Sequence, residues 1–91
     1  MPDSTNDFDN AQMRAMMLDA AENQIAADDP PETRLTLERL MGLGFPREEA
    51  MQYIANVLTM ELLAVLHQQK PFNEARYVAA LKALPERPWE G

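Results

Sequence analysis

The chain has 91 residues, with 15 acidic side chains, 8 basic side chains and no cysteine. This length corresponds to one small domain with a modest core. The absence of cysteine excludes a disulfide framework and a thiolate metal site, and it fits a reducing compartment. The first residues lack the basic region and apolar run of a signal peptide, so we expect a cytoplasmic protein.

The excess negative charge is concentrated at the start of the chain. Residues 1–32 carry eight acidic residues and one basic residue, whereas residues 33–91 carry seven of each. Because nucleic-acid binding requires clustered basic side chains, we expect no nucleic-acid partner. The acidic side chains of residues 1–32 are expected to be solvated. The alternative is that they form a docking face for a basic protein.

The first helix is predicted to follow a polar, flexible segment. Asp9 or Asn10 is the expected N-cap, and the helix is expected to stop by Asp29, which precedes a proline. Asn23 and Gln24 lie where its apolar stripe would continue, so an amide buried there must bond to a neighbouring helix and fix its register. Apolar residues at spacings of three and four form the stripe: Met13, Met16, Met17, Ala20, Ala21 and Ile25.

The second helix is predicted to start at once after the first. Asp29 is the expected N-cap, with Pro30 in the first turn and Glu32 completing a capping box. Gly42 or Gly44 is expected to supply the left-handed residue that ends this helix.

The third helix is predicted to run from about Arg47 to Gln69, opened by Pro46. Glu61 is its only formal charge after Ala50, and apolar residues cover most of its circumference. Such a helix requires burial on several sides, which makes it central to the domain. Polar residues interrupt its apolar run, so we expect no membrane span: Gln52, Asn56, Thr59, Glu61 and His67.

The fourth helix is predicted from Asn73, its N-cap, to Leu84. Phe72 before the cap and Tyr77 within the helix have the spacing of a hydrophobic staple. Pro85 follows and ends the helix.

These elements predict an all-α fold, a compact four-helix domain over residues 9–85 with a long central third helix. A flexible acidic segment, residues 1–8, precedes the domain, and a tail, residues 86–91, follows it. The tail contains Trp89, the only tryptophan. We expect Trp89 to pack back onto the domain, and the alternative is that it faces a partner.

Few residues could support catalysis or metal binding. His67 is the only histidine, and no glycine-rich nucleophile turn accompanies it. The adjacent acidic pairs 28–29 and 48–49 do not converge on one ion, and no calcium or phosphate loop is present. We therefore expect no catalytic residue, no cofactor and no metal. The alternative is a small enzyme or metal-binding protein centred on His67 or Glu61.

Two family resemblances emerge from the pattern. The first resemblance depends on residues 22–26 and 29–33, together with Arg39-Leu40, Gly44, Arg47, Glu49-Ala50, Pro71-Phe72, Tyr77 and Leu81. This pattern resembles a small helical module of uncharacterised bacterial proteins and covers most of residues 10–85. Members of that family often carry histidines around the first and third helices, which implies a metal role. The comparable stretches here hold Arg14, Leu18, Glu48 and Gln52 instead.

The second resemblance is local. Residues 40–50 are similar to the first-helix and loop signature of ubiquitin-associated domains, with Leu43 where that motif has methionine. Such domains turn again soon after their second helix, whereas this helix is predicted to continue to about Gln69. The resemblance implies a weak apolar binding patch around Leu43, Gly44 and Phe45.

The sequence thus predicts a non-catalytic protein-interaction module, with a protein partner or a second copy in a homodimer. A 91-residue chain with so broad an apolar helix offers little surface of its own to cover it, which favours self-association. The alternative is a ubiquitin-associated-like domain that binds through the corner after the second helix. The residues expected to contact a partner are Met13, Met16, Met17, Leu43, Phe45 and Trp89.

Overall fold

The computed structural model describes the backbone of residues 2–86 and the side chains of residues 11–86. Within this part of the chain there are four α-helices and no strand: α1 (Pro2–Ala27), α2 (Pro31–Gly42), α3 (Arg47–Gln68) and α4 (Glu74–Ala83). The predicted all-α, four-helix fold with a long central third helix is confirmed. Trp89 lies outside the described residues.

The first helix is longer than predicted. It begins at Pro2, so the expected start near Asp9 or Asn10 is wrong. Proline suits a first helical turn, because a backbone N–H there has no intrahelical partner. Polar residues then extend the helix, because propagation of an existing helix is far less costly than its nucleation.

The end of α1 lies where the sequence predicts it. Asp28 adopts a left-handed backbone conformation with a φ of 53°. The amides of Asp28 and Asp29 donate to the carbonyls of Ile25 and Gln24 at 3.1 and 3.0 Å. These two bonds form a Schellman motif, which satisfies the last carbonyl groups of the helix.

The start of α2 differs from the prediction by one residue. Pro30 is the N-cap and Pro31 the first helical residue, and no side chain bonds to the cap. Asp29 already belongs to the turn that ends α1, so the chain enters α2 one residue later. The predicted capping box of Asp29 and Glu32 is therefore wrong.

The corner between α2 and α3 is built on Gly44, whose φ of 106° glycine adopts without strain. The amides of Gly44 and Phe45 donate to the carbonyls of Met41 and Leu40 at 3.0 and 3.1 Å. The prediction that a left-handed glycine ends α2 is confirmed for Gly44.

The start of α4 is also as predicted. The side chain of Asn73 accepts a hydrogen bond from the backbone N–H of Arg76 at 2.9 Å. The ring centroids of Phe72 and Tyr77 lie 5.9 Å apart, so the two rings form the expected staple.

The central helix α3 packs against the other three helices. It runs antiparallel to α1, because Glu22 near the end of α1 bonds to Arg47 at the start of α3, while Met13 shares a groove with Thr59 further along. Buried apolar side chains form one core: Ala21, Leu37, Leu40, Ala50, Met51, Tyr53, Ile54, Val57, Leu58, Tyr77, Leu81 and Leu84.

By length and composition alone, α3 also meets the criterion for a helix that crosses a membrane. The core helix of a compact protein meets the same criterion. In this fold, eight residues of α3 are buried against its neighbours, most of them in its first half.

Candidate interaction surface

A partly buried polar cluster joins three helices. The amide oxygen Oε1 of Gln24 in α1 accepts hydrogen bonds from Thr33 Oγ1 in α2 and from Tyr77 Oη in α4, both at 2.7 Å. The two hydroxyl oxygens lie 3.2 Å apart. Burial raises the pKa of Tyr77 to about 12, and the neighbouring Thr33 hydroxyl acts against this rise. The half-buried Gln24 amide bonds to two neighbouring helices, the contacts expected of an amide on this face of α1, whereas Asn23 is exposed.

The buried carboxylate of Glu61 is fully occupied by an ion pair. Arg76 of α4 donates from Nε and Nη2 to its two oxygens at 2.7 and 3.2 Å. This bidentate hydrogen bond raises the pKa of Arg76. The pair therefore joins α3 to α4, and both carboxylate oxygens are already engaged.

Other cationic side chains also make structural contacts. Arg47 forms a bidentate pair with Glu22 at 2.8 and 2.9 Å, and its hydrogen bond lowers the pKa of Glu22. Arg39 donates to the carbonyls of Leu81 and Leu84, which lie at the C-terminal end of α4. These contacts connect α1 to α3 and α2 to α4.

His67 is exposed in the last turn of α3. It lines an open depression of about 320 Å³, whose other walls are Met60, Leu63, Ala64 and Gln68. Among the described side chains, no group of three or more His, Asp and Glu residues is placed to hold a metal ion.

The corner surface, defined here as Met41 and Leu43, exposes large apolar side chains beside the turn at Gly44. Leu43 is 60% exposed and Met41 is 45% exposed. Phe45 is half-buried, and its ring meets that of Tyr53 edge-on at 5.4 Å. The corner therefore brings Leu43 to the surface while Phe45 packs against the core.

The three methionines of the first helix do not act as one cluster. Met17 packs against the core, and Met13 lies in the groove between α1 and α3. Met16 is 57% exposed. Of these three methionines, only Met16 therefore presents most of its surface to solvent.

A second apolar surface lies on α3. The α3 stripe, defined as Met60, Leu63 and Leu66, is on the outer side of the second half of the helix, where the three side chains are 37%, 37% and 58% exposed. The sequence indicates the broad apolar circumference of this helix but does not single out these three residues. Apolar residues at spacings of three, in a stretch whose only formal charge is Glu61, were the available signal.

Comparison of the chain with protein-family models, curated proteins and solved structures found no match.

Proposed function

We propose that this chain is a non-catalytic helical module that binds proteins through exposed apolar side chains. The observation that carries the proposal is the contrast between two sets of residues. The half-buried Gln24 and the buried Thr33, Tyr77 and Glu61 bond to other side chains of the fold. The corner surface and the α3 stripe, in contrast, leave large apolar side chains in solvent.

The hydrophobic effect favours binding at these two surfaces. Removing apolar surface from water stabilises a complex by about 25 cal/mol per Å² before the costs of association. A single exposed leucine is ordinary, but grouped exposed apolar side chains typify contact sites. The same reasoning supports either a protein partner or a second copy of the chain.

A pull-down from lysate of the source organism tests this function. The bait proteins are the wild type, Leu43→Asp, Leu63→Asp and the control Ala79→Asp, which adds the same charge at an exposed position of α4. We expect a stoichiometric partner, or the chain itself, to be lost with at least one leucine variant and retained with the control. Circular dichroism establishes that each variant is folded.

Two results contradict the proposal. One is recovery of the same proteins by all four baits, because binding then does not involve the exposed apolar residues. The other is a wild-type chain that stays monomeric at every concentration and captures nothing.

A ubiquitin-associated-like function is the second candidate, and the exposure of Leu43 beside the left-handed Gly44 supports it. Ubiquitin is the direct probe. If this candidate holds, adding ubiquitin shifts amide resonances around Leu43 and Gly44, and Leu43→Asp abolishes the shifts. Leu43 is a better test than Phe45, because loss of the Phe45 ring also removes its packing on Tyr53. Unchanged spectra at millimolar ubiquitin contradict it.

A further inference from the structure

The α3 stripe continues a face whose first half is polar. Gln52 and Asn56 are exposed on the same side of the helix, about two turns and about one turn before Met60, respectively. The face therefore changes from amides to apolar side chains along its length, with Leu63 in the middle of the apolar part. His67 follows Leu63 by one turn and is also exposed.

The second half of this face carries no carboxylate, which is unusual in so acidic a chain. The formal net charge is −7, so two copies repel each other wherever their acidic surfaces approach. The only formal charge of α3 beyond Glu49 is Glu61, which is buried on another side of the helix and paired with Arg76. Two copies can therefore meet along the α3 stripe without opposing like charges.

The spacing of the stripe also matches a copy of itself. When two such helices lie antiparallel about an axis at Leu63, each Leu63 faces its counterpart, and each Met60 faces Leu66 of the second copy. Thr59 and His67 then face each other at both ends, where the threonine oxygen can accept a hydrogen bond from an imidazole N–H. Antiparallel helices packed at spacings of three and four residues are a common arrangement.

We propose that the α3 stripe pairs with the α3 stripe of a second copy of this chain, antiparallel and centred on Leu63. This inference rests on the proposed function, of which it specifies one partner. Each copy contributes three large apolar side chains, fewer than an interface of about 800 Å² per partner requires. The dimer is therefore reversible, with a dissociation constant of roughly micromolar or weaker.

Site-directed disulfide formation tests this register directly, because the chain has no cysteine of its own. Leu63→Cys is compared with Leu43→Cys and Leu35→Cys under mild oxidation. We expect Leu63→Cys to form a covalent dimer at least tenfold faster. Leu43 and Leu35 are 60% and 51% exposed, against 37% for Leu63. Cross-linking by random collision would therefore be faster for the two control variants than for Leu63→Cys.

Sedimentation equilibrium over a range of concentrations supplies the second measurement. We expect a concentration-dependent dimer for the wild type and for Ala79→Asp, and a monomer for Leu63→Asp. A wild-type monomer at millimolar concentration overturns the pairing, as does a dimer that Leu63→Asp leaves intact. Faster cross-linking of Leu43→Cys overturns this register but leaves the proposed function standing. A monomer that captures no protein in the pull-down overturns both.

Discussion

The hydroxyl of Tyr77 donates a 2.7 Å hydrogen bond to the amide oxygen of Gln24, which lies 53 residues earlier in the chain. Within the described residues, α1 and α4 have no backbone packing against each other, so this bond spans the gap between them. Thr33 of α2 completes the cluster. Three helices are thereby held in one relative register by a single amide group.

Removing the Tyr77 hydroxyl should destabilise the fold by about 1 kcal/mol, because Gln24 keeps its bond from Thr33 and loses only one partner. Urea denaturation of Tyr77→Phe, Gln24→Leu and the double variant measures the coupling. We expect a coupling free energy of about 0.5–1.5 kcal/mol. Additive effects of the two substitutions would show that the bond contributes nothing to stability.

Stability should fall at alkaline pH because of Tyr77. Its pKa rises from 10.0 to about 12 on folding, so above pH 10 the unfolded chain binds fewer protons than the folded protein. The neutral phenol of Tyr77 contributes fully to the free energy of unfolding below pH 10. This contribution is lost progressively as the pH rises toward 12. The loss is on the order of 2–3 kcal/mol.

Urea denaturation between pH 9 and pH 12 checks this, with Tyr77→Phe as the comparison. The variant should lack most of the alkaline decrease that the wild type shows. Identical pH profiles for the two proteins would contradict a buried, neutral Tyr77.

The Glu61–Arg76 pair predicts a rank order of stabilities. Arg76→Met leaves a buried carboxylate without its partner and should lower the urea midpoint clearly. Replacing both residues by methionine removes the uncompensated charge as well, so the double variant should be more stable than Arg76→Met alone. A double variant less stable than the single one would mean that the ion pair itself stabilises the fold.

The two glycines near the corner should respond oppositely to alanine. A Cβ atom at either position meets no atom within 4 Å, so space does not distinguish them. Gly44 has a φ of 106°, and Gly44→Ala should cost about 1–2 kcal/mol in backbone strain. Gly42 is helical, and Gly42→Ala should be neutral or stabilise the fold by up to about 1 kcal/mol. Thermal unfolding of both variants gives the comparison, and equal shifts would contradict the strain argument.

The sequence by itself determined the elements that depend on neighbouring residues. Prolines and glycines marked the helix boundaries because their backbone restrictions are local, so the Gly44 turn, the Asn73 cap and the length of α3 were all predictable. The prediction for the start of α2 was wrong, because Asp29 could either cap α2 or belong to the turn that ends α1, and it belongs to the turn. Local rules describe each turn alone and do not decide between overlapping ones.

Only the tertiary structure decided which side chains face solvent. Phe45 and Leu43 belong to the same predicted patch, yet the approach of Tyr53 covers the first and leaves the second exposed. Likewise, the neighbours of α3 leave Leu63 and Leu66 on its outer side. A helical repeat shows that a face is apolar, but the side that becomes buried depends on where the other helices pack, and contacts between distant residues fix that arrangement.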